Sequence, residues 1–382
     1  MENNSKANIL YIKVKAGDGQ IFINFLKKQF RNTQIIDQKF QILHENDNIL
    51  YPIIDNQVLI DHVIKLVDKE IIFDLISKPG IPNEMYKCRN LQETLKGKIP
   101  EKYSKIIPRS YDIVGNIAII EFDKFLDVDC NELNNYKQII AEAISSVNKN
   151  VRTIYEKKSQ IKGKYRLREL EVLYGGDKSE TMHKENDCIF KVDIKNTYFS
   201  PRLVFERRRI SSGSIKEAEI IVDMFAGVGT FSIQIAKENN VKIYAFDINP
   251  KAYEYLKENI ELNKSKGEII PYNIDVKDLL DRNNQLGQAL SNKVNRVIMN
   301  LPENSIQYLD VARFLMKDSG GILHFYQFSD KPNPIEKSLN ILENELKSLN
   351  WEIESIINSK IVKHYSPKSE LVVLDLKIKA IK

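Results

Sequence analysis

One carboxylate lies inside a run of arginine and aromatic residues in this 382-residue chain. Residues 198–209 (YFSPRLVFERRR) place four arginines, two phenylalanines and one tyrosine around Glu206. Guanidinium groups bind phosphates and aromatic rings stack on bases, so this composition is typical of a nucleic-acid surface. Glu206 has two interpretations: it is an ion-pair partner of its neighbours, or a general base that they keep ready to accept a proton.

A second basic segment, residues 163–169 (GKYRLRE), carries Arg166 and Arg168. A strand is predicted over residues 165–170, and side-chain alternation along it would put these two arginines on one face and Glu169 on the other. Residues 151–210 contain 15 basic and 9 acidic side chains, whereas the other 322 residues contain 42 and 43. The positive charge of the chain is thus concentrated in one region, which predicts a surface for a polyanion; a solvated charged face is the alternative.

A glycine-containing loop follows an apolar segment at residues 221–231 (IVDMFAGVGTF). Gly227 and Gly229 let the backbone approach a ligand, and the helix that follows offers unpaired N–H donors. Asp247 comes eighteen residues after Gly229, at the end of the next predicted strand. A carboxylate there can accept hydrogen bonds from both hydroxyls of a ribose.

The third glycine of a dinucleotide fingerprint is absent, because Thr230 follows Gly229. A nucleoside-type cofactor such as S-adenosylmethionine therefore fits this loop better than NAD. Asp275 lies just past the third predicted strand, where its carboxylate could accept from an adenine amino group. A helix N-cap is the alternative interpretation of Asp275.

Asn300 follows the fourth predicted strand in the sequence Asn300-Leu301-Pro302-Glu303. At the carboxyl end of a parallel strand it borders the crevice in which such sheets bind ligands. The segment resembles the Asn/Asp-Pro-Pro-aromatic element of amino-methyltransferases, but Leu301 and Glu303 depart from it. These departures favour a ring nitrogen over an exocyclic amine as the acceptor. An asparagine that merely ends a strand is the alternative.

These side chains need a sheet to bring them together, and the apolar pattern predicts one. Strands are predicted at 220–224, 242–246, 268–272, 296–299 and 321–326, with helices at 231–238 and 251–263 and closing strands at 351–358 and 371–378. This alternation predicts an α/β fold with a doubly wound, largely parallel sheet. We predict three domains: a small α+β domain at 1–80, a middle α+β domain at 81–200 and the doubly wound domain at 201–382.

Composition excludes several classes of protein. No segment approaches the ~20 consecutive apolar residues of a membrane span, and the amino terminus (MENNSKANIL) has no signal-peptide core. The three cysteines form no CxxC pair and the five histidines are scattered, so we expect no metal site. The expected location is the cytoplasm, and a monomer is the default. His183 is a weak catalytic candidate and fits a turn better.

Taken together, these segments resemble the archaeal and eukaryotic tRNA (guanosine-37-N1)-methyltransferase family. The segments that carry the resemblance occur in family order over about the last 270 residues: SYDIVGNIAII (110–120), GKYRLREL (163–170), HKEN (183–186), YFSPRLVFER (198–207), VDMFAGVG (222–229), DINP (247–250), NLP (300–302) and VKHYSP (362–367). Residues 1–80 resemble the extra domain with which archaeal members contact the outer corner of tRNA. Thr230 replaces a proline that is common in the family.

The resemblance implies a Rossmann-like class I methyltransferase sheet that follows an RNA-binding domain, and a role for each matching residue. Glu206 would be the general base, Arg166 would assist at the guanine O6, and Asn300 would orient the reacting groups. The residues implied in binding S-adenosylmethionine are Arg207, Phe225, Gly227, Gly229, Asp247, Ile248, Asp275, Val276, Asn300 and Pro302. Tyr198, Arg202 and Arg168 would position the flipped nucleotide of the tRNA.

Three other functions compete with methyl transfer to N1 of guanosine 37. A related transferase of the wybutosine pathway moves the aminocarboxypropyl group of the same cofactor, but as a group it lacks the NLP element present at 300–302. A second methylation, at C7 of a tricyclic wybutosine precursor, is compatible with the sequence. A noncatalytic RNA-binding module is disfavoured because Glu206, Arg166 and Asn300 are all retained.

Overall fold

The computed structural model describes residues 8–30, 33–67, 71–86, 88, 90–122 and 130–381. The chain forms two compact units, Met1–Asn90 and Leu91–Lys382. The boundaries expected after residues 80 and 200 stay predictions. Within the described residues, no helix is both long enough and apolar enough to cross a membrane.

The amino-terminal unit is an antiparallel sheet covered by helices. Its strands are β1 (Asn8–Lys15), β2 (Leu43–Glu45), β3 (Asn48–Pro52) and β4 (Phe73–Pro79), in the order β2-β3-β1-β4. Its helices are α1 (Gly19–Gln29) and α2 (Gln57–Val67). Ile12 and Val14 of β1 pack with Phe22 and Phe25 of α1 in its core. Burial of these apolar side chains is what holds so small a unit together.

The second unit begins with a four-stranded sheet and a long helix. The described residues of this part include the helices α3 (Leu91–Leu95) and α4 (Cys130–Val147). The strands are β5 (Asp112–Val114), β6 (Ile117–Ile120), β7 (Thr153–Lys157) and β8 (Leu170–Tyr174), in that spatial order. A separate hairpin follows, formed by β9 (Glu180–Glu185) and β10 (Cys188–Asp193).

The strand predicted at 165–170 is wrong. Gly163 and Arg166 both have positive φ, +71° and +56°, and β8 begins only at Leu170. Lys162 and Leu167 form an isolated bridge that closes a tight turn between them. Arg166 and Arg168 therefore do not share a strand face. Arg166 is buried in this turn and is 8% exposed.

The doubly wound sheet predicted from the sequence is confirmed. Its strands are β11 (Ile220–Asp223), β12 (Lys242–Phe246), β13 (Glu268–Tyr272), β14 (Arg296–Met299), β15 (Gly321–Asp330), β16 (Trp351–His364) and β17 (Ser369–Ala380). The spatial order is β13-β12-β11-β14-β15-β17-β16. The first five strands run parallel, and β17 pairs antiparallel with both β15 and β16.

Six helices accompany this sheet: α5 (Val204–Ser211), α6 (Thr230–Glu238), α7 (Pro250–Leu262), α8 (Gln285–Leu290), α9 (Leu309–Leu315) and α10 (Pro334–Ser348). Asn249 caps α7 by accepting a hydrogen bond from the Lys251 N–H, and Pro250 occupies its first turn. The strand order reverses between β11 and β14, so their carboxyl ends open a crevice. The glycine loop and Asn300 both lie at these strand ends.

Candidate active site

The glycine loop is tied to the neighbouring strand by one carboxylate. Asp247, which follows β12, accepts a hydrogen bond from the Gly227 N–H at 2.7 Å and another from the Asn249 N–H at 2.8 Å. Burial raises the pKa of Asp247, and the two amide donors oppose that rise. Gly227 has φ of +57°, a conformation that glycine adopts without strain. The loop and the carboxylate are thus fixed relative to each other.

A cavity of about 260 Å³ opens beside this loop, and we call it the loop cavity. Seven of the residues expected to bind a cofactor line it: Phe225, Gly227, Asp247, Ile248, Asp275, Val276 and Asn300. The Asp275 carboxylate also accepts from the Lys277 N–H at 3.0 Å and caps a 3-10 turn. Asp275 is therefore a cap that also lines the cavity, and its role as an acceptor for an adenine amino group stays a prediction.

Gly229 and Pro302 lie outside the lining of the loop cavity. Gly229 has φ of +91° and precedes α6, and a Cβ built on it would be 2.5 Å from Cδ1 of Leu256. Close packing against α7 therefore explains this glycine, which the sequence analysis assigned to cofactor binding. Pro302 lines a neighbouring cavity instead.

That neighbouring cavity has a volume of about 500 Å³, and we call it the arginine cavity. Its lining includes six of the predicted site residues: Arg166, Arg168, Tyr198, Arg202, Asn300 and Pro302. Arg202 is anchored there by Asp112, which accepts from its Nε at 2.6 Å. The structure thus brings the basic turn at 163–169 together with the arginine-rich segment and the NLP element, as the sequence analysis expected.

Three of these residues, Arg166, Tyr198 and Asn300, line both cavities and mark the junction between them. The guanidinium of Arg166 lies over the Tyr198 ring, 4.9 Å from its centroid. Within the described part of the chain, Nε and Nη1 of Arg166 are buried without a hydrogen-bond acceptor, although the Glu303 carboxylate forms an ion pair with Nη1 at 3.5 Å. Among the described residues, none hydrogen-bonds to the Asn300 side chain. The junction therefore presents unsatisfied donors, which are costly unless an acceptor enters.

The arginine cavity also contains residues that the sequence analysis did not single out. Phe328 and Tyr365 stack with ring centroids 3.8 Å apart and form an aromatic wall. Lys363 lines the same cavity, where burial, together with the charges of Arg202, Arg166 and Arg168, lowers its pKa to about 8. The sequence signal for Lys363 and Tyr365 was the VKHYSP segment (362–367), which contributed to the family resemblance but suggested no role for these residues.

Arg207 lines neither cavity, although the sequence analysis expected it to contact the cofactor. It is 2% exposed, and its Nε and Nη2 donate hydrogen bonds to the Glu185 carboxylate, with Nη2 lying 2.6 Å from Oε2. It also donates to the Ser200 carbonyl at 3.2 Å. Arg207 therefore ties the loop that carries Tyr198 to strand β9, where Glu185 ends the strand.

We expect Arg207→Met to lower the free energy of unfolding by about 3 kcal/mol, because it leaves Glu185 buried without its main cation. Urea denaturation monitored by circular dichroism measures this loss. Lys251→Met, which removes an exposed ion pair with Glu254, is the control and should cost less than about 1 kcal/mol. Equal unfolding midpoints for Arg207→Met and the unmodified protein would contradict the structural role of Arg207.

Glu206 lies in α5, is 3% exposed, and lines neither cavity. Its Oε2 accepts from Arg209 Nη2 at 2.8 Å and from the Tyr326 hydroxyl at 3.4 Å, while its Oε1 pairs with Lys360. Tyr326 follows Phe325, which pairs with Met299 directly before Asn300. Glu206 thus contacts Tyr326 of β15, the strand that pairs with β14 before Asn300, and its carboxylate is bound by two cations.

His183 is a structural residue of β9 rather than a turn residue. Its Nδ1 accepts from the Gly115 N–H at 3.1 Å, and its ring packs against Phe199 with centroids 5.0 Å apart. Within the described part of the chain, no three His, Cys, Asp or Glu side chains are placed to hold a metal ion.

Comparison with known protein families matches two segments. Residues 181–354 match the TRM5/TYW2 methyltransferase domain, and residues 91–178 match the TYW2 N-terminal domain. The chain is 31% identical over 372 residues to a tRNA (guanine(37)-N(1))-methyltransferase Trm5b of Pyrococcus abyssi, covering 97% of this chain and 99% of that protein. It is 34% identical to the protein of the same name from Methanocaldococcus jannaschii, over 90% and 92% of the two chains.

A relative with another activity covers less of the chain. A tRNA(Phe) (4-demethylwyosine(37)-C(7)) aminocarboxypropyltransferase of Pyrococcus horikoshii is 30% identical over 75% of this chain and 96% of its own. Among solved structures, Trm5b from Pyrococcus abyssi has a TM-score of 0.73 at 30% identity, covering 97% and 99% of the chains. A complex of aTrm5 with tRNALeu has 0.71 at 31%, covering 98% and 100%. TYW2 of M. jannaschii in complex with AdoMet has 0.53 at 26%, covering 71% and 100%.

Proposed function

Because this chain belongs to the archaeal and eukaryotic tRNA (guanine-37-N1)-methyltransferase family, we propose that it transfers a methyl group from S-adenosylmethionine to N1 of guanosine 37 in tRNA. We propose that the protein acts in the cytoplasm, where it would encounter its tRNA substrate. A monomer stays a prediction.

The observation that carries this proposal is the junction of the two cavities. Among the residues that the structure describes, Nε and Nη1 of Arg166 have no hydrogen-bond acceptor, and none hydrogen-bonds to the side-chain amide of Asn300, which lines both cavities with Arg166. Loss of the N1 proton moves negative charge onto guanine O6. A guanidinium at that oxygen stabilises the charge as it develops, in a site shielded from water. The unsatisfied donors of Arg166 are what a purine carbonyl would satisfy.

The loop cavity fits the nucleoside part of S-adenosylmethionine. Asp247 at the end of β12 is placed for ribose hydroxyls, and Asp275 offers an acceptor for an adenine amino group. Ile248, Ile274 and Val276 line the same cavity with apolar surface suited to a base. When bound, this cofactor supplies a methyl group that its sulfonium has already activated.

The chain's own residues then bind, orient and deprotonate the base. Phe328 and Tyr365 offer stacking surface in the arginine cavity to a base that has left the anticodon stack. Asn300 orients the purine edge at the junction. We assign proton removal to Oε1 of Glu206. Because Glu206 lines neither cavity, this assignment requires that its partner Lys360, which is 40% exposed, is displaced so that Oε1 reaches the purine. Oε2 stays bound to Arg209.

A basic depression extends the arginine cavity along the protein surface. Its lining includes Lys105, Arg109, Lys157 and Arg202, and the last two also line the arginine cavity. Glu121 is the acidic residue among those lining both. Lys157 pairs with Asp112 and Glu121, and Arg202 pairs with Asp112, so phosphates on either side of the flipped nucleotide would bind here in competition with these carboxylates.

The pKa of Lys363 predicts how tRNA affinity depends on pH. Phosphates that bind Lys363 raise its pKa above the value of about 8 in the free protein. The cation contributes fully below pH 8, and its contribution is lost as the pH rises from 8 toward the bound value. We expect the Kd for tRNA, measured by filter binding, to rise by at most about tenfold per pH unit above 8.

Lys363→Arg is the matched control, because an arginine stays charged throughout this range. Its Kd should be flat between pH 7 and 9. The same rise in Kd for Lys363→Arg and for the unmodified protein would remove Lys363 from this role.

Aminocarboxypropyl transfer is the second candidate, since a relative of that name covers 75% of this chain. Two samples of S-adenosylmethionine, labelled in the methyl group or in the carboxyl group, separate the two reactions on tRNA. Methyl transfer moves only the methyl label, and aminocarboxypropyl transfer moves only the carboxyl label. Transfer of the carboxyl label alone would overturn our proposal, and transfer of neither would favour a binding module.

A further inference from the structure

A chain of hydrogen-bonded polar and charged side chains runs from Glu206 across the sheet. Arg209 links the carboxylate of Glu206 to that of Asp375 on β17. Asp375 contacts Nδ1 of His324 on β15 at 2.6 Å, and Nε2 of His324 contacts Nη1 of Arg296 on β14 at 2.8 Å. Arg296 in turn donates to Glu219 at 2.9 Å. Arg296, His324 and Asp375 lie on the neighbouring strands β14, β15 and β17, and His324 and Asp375 are register partners.

The hydrogen bonds of this chain have one consistent direction. Arg296 can only donate, so Nε2 of His324 accepts, and Nδ1 carries the hydrogen that is donated to Asp375. Burial lowers the pKa of His324, which keeps the ring neutral. Burial opposes ionisation of Asp375, but the bonds from His324 and Arg209 lower its pKa to about 2. Asp375 is therefore a fixed anion that faces Arg209.

Arg209 is held from two sides in consequence. Asp375 fixes one nitrogen of the guanidinium, and Nη2 and Nε lie 2.8 and 3.1 Å from Oε2 of Glu206. Asn358 adds a hydrogen bond to Asp375 at 3.0 Å. The side chain of Arg209 is 29% exposed, against 40% for Lys360, the other cation on Glu206. The guanidinium of Arg209, which the buried Asp375 carboxylate holds, therefore has less conformational freedom than the side chain of Lys360 on the edge strand β16.

We propose that Arg209 is a positioning residue, which Asp375 fixes and which holds Oε2 of Glu206 so that Oε1 stays the proton acceptor. This rests on the proposed role of Glu206 as the base. Without Arg209, only the Tyr326 hydroxyl and Lys360 hold the carboxylate, and it loses the orientation that leaves Oε1 as the proton acceptor. A displacement of about 1 Å at a reacting group costs about 100-fold in rate.

The test is a cycle of four proteins: the unmodified chain, Arg209→Met, Glu206→Gln and the double variant. Methyl transfer to a tRNA transcript is measured under single-turnover conditions, with KM for S-adenosylmethionine measured alongside. Arg209→Met should lower the rate about 100-fold in the unmodified background and less than about threefold in Glu206→Gln, with KM unchanged. Arg209→Lys should restore part of the rate.

A merely structural role for Arg209 gives a different pattern, because its loss then costs the same in both backgrounds. That result, or an Arg209→Met protein with the unmodified rate, would overturn the proposal. A Glu206→Gln protein with the unmodified rate would instead remove the proposed base, so the two failures are distinguishable. Arg313→Met is the control: Arg313 is 33% exposed, pairs with Asp318 at 3.1 Å, and should be without effect.

Asp375→Asn provides a second test if Arg209→Met does not fold. The change keeps the side-chain volume and removes the charge that fixes Arg209. The rate should fall about tenfold in the unmodified background and stay constant in Glu206→Gln. An equal fall in both backgrounds would overturn the proposal in the same way.

Discussion

Arg166→Met is expected to lower kcat about 1,000-fold while it leaves the Kd for S-adenosylmethionine within about twofold. Arg166 lies at the junction of the two cavities, and we place guanine O6 where Nε and Nη1, which lack a hydrogen-bond acceptor among the described residues, can donate to it. An interaction that strengthens only as charge develops lowers the barrier without strengthening ground-state binding. Single-turnover rates and equilibrium binding of the cofactor measure the two effects separately.

Arg168→Met is the matched control for this variant. Arg168 lines the arginine cavity but not the loop cavity, so its loss should raise the KM for tRNA and change kcat little. A kcat for Arg166→Met within about tenfold of the unmodified value would mean that Arg166 does not stabilise developing charge.

Glu206→Gln is the second substitution with a large expected effect. Removing a general base costs about 100- to 10,000-fold in rate, and the amide keeps the volume of the buried side chain. The rate of this variant should recover in part at alkaline pH, where N1 of guanine loses its proton without help. Cofactor affinity should not change, because Glu206 does not line the loop cavity, where the cofactor is proposed to bind.

Glu156→Gln controls for the loss of a buried carboxylate. Glu156 is 6% exposed, pairs with Lys137 at 2.6 Å and lines neither cavity. It should lower stability and leave the single-turnover rate unchanged. Full activity of Glu206→Gln at neutral pH would require another proton acceptor.

The sequence was sufficient to predict the sheet and the position of the crevice. The five parallel strands lie where alternation of apolar segments with helical segments places them. The acidic residue after β12 and the glycine loop are features of short sequence segments, and such features can be predicted without knowledge of tertiary contacts. Asp247 and Gly227 accordingly meet as expected.

The environment of the predicted catalytic residues was not predictable from local patterns. Arg166 reads as a strand residue because it alternates with Leu167 and Arg168, but Gly163 opens a turn that reverses the chain. Lys360 contacts Glu206 from a strand more than 150 residues away, and no spacing rule links them. The family resemblance implied that Arg207, next to Glu206, binds the cofactor, but its guanidinium forms an ion pair with Glu185 of the hairpin instead.

The most direct test of the central claim is nucleoside mass spectrometry of tRNA transcripts after reaction with S-adenosylmethionine. Two transcripts that differ only in guanosine or adenosine at position 37 are digested and compared. We expect N1-methylguanosine, one methyl group heavier than guanosine, from the first transcript and no modified nucleoside from the second. A methyl group on another nucleoside, or a modification that carries the mass of an aminocarboxypropyl group, would contradict the claim.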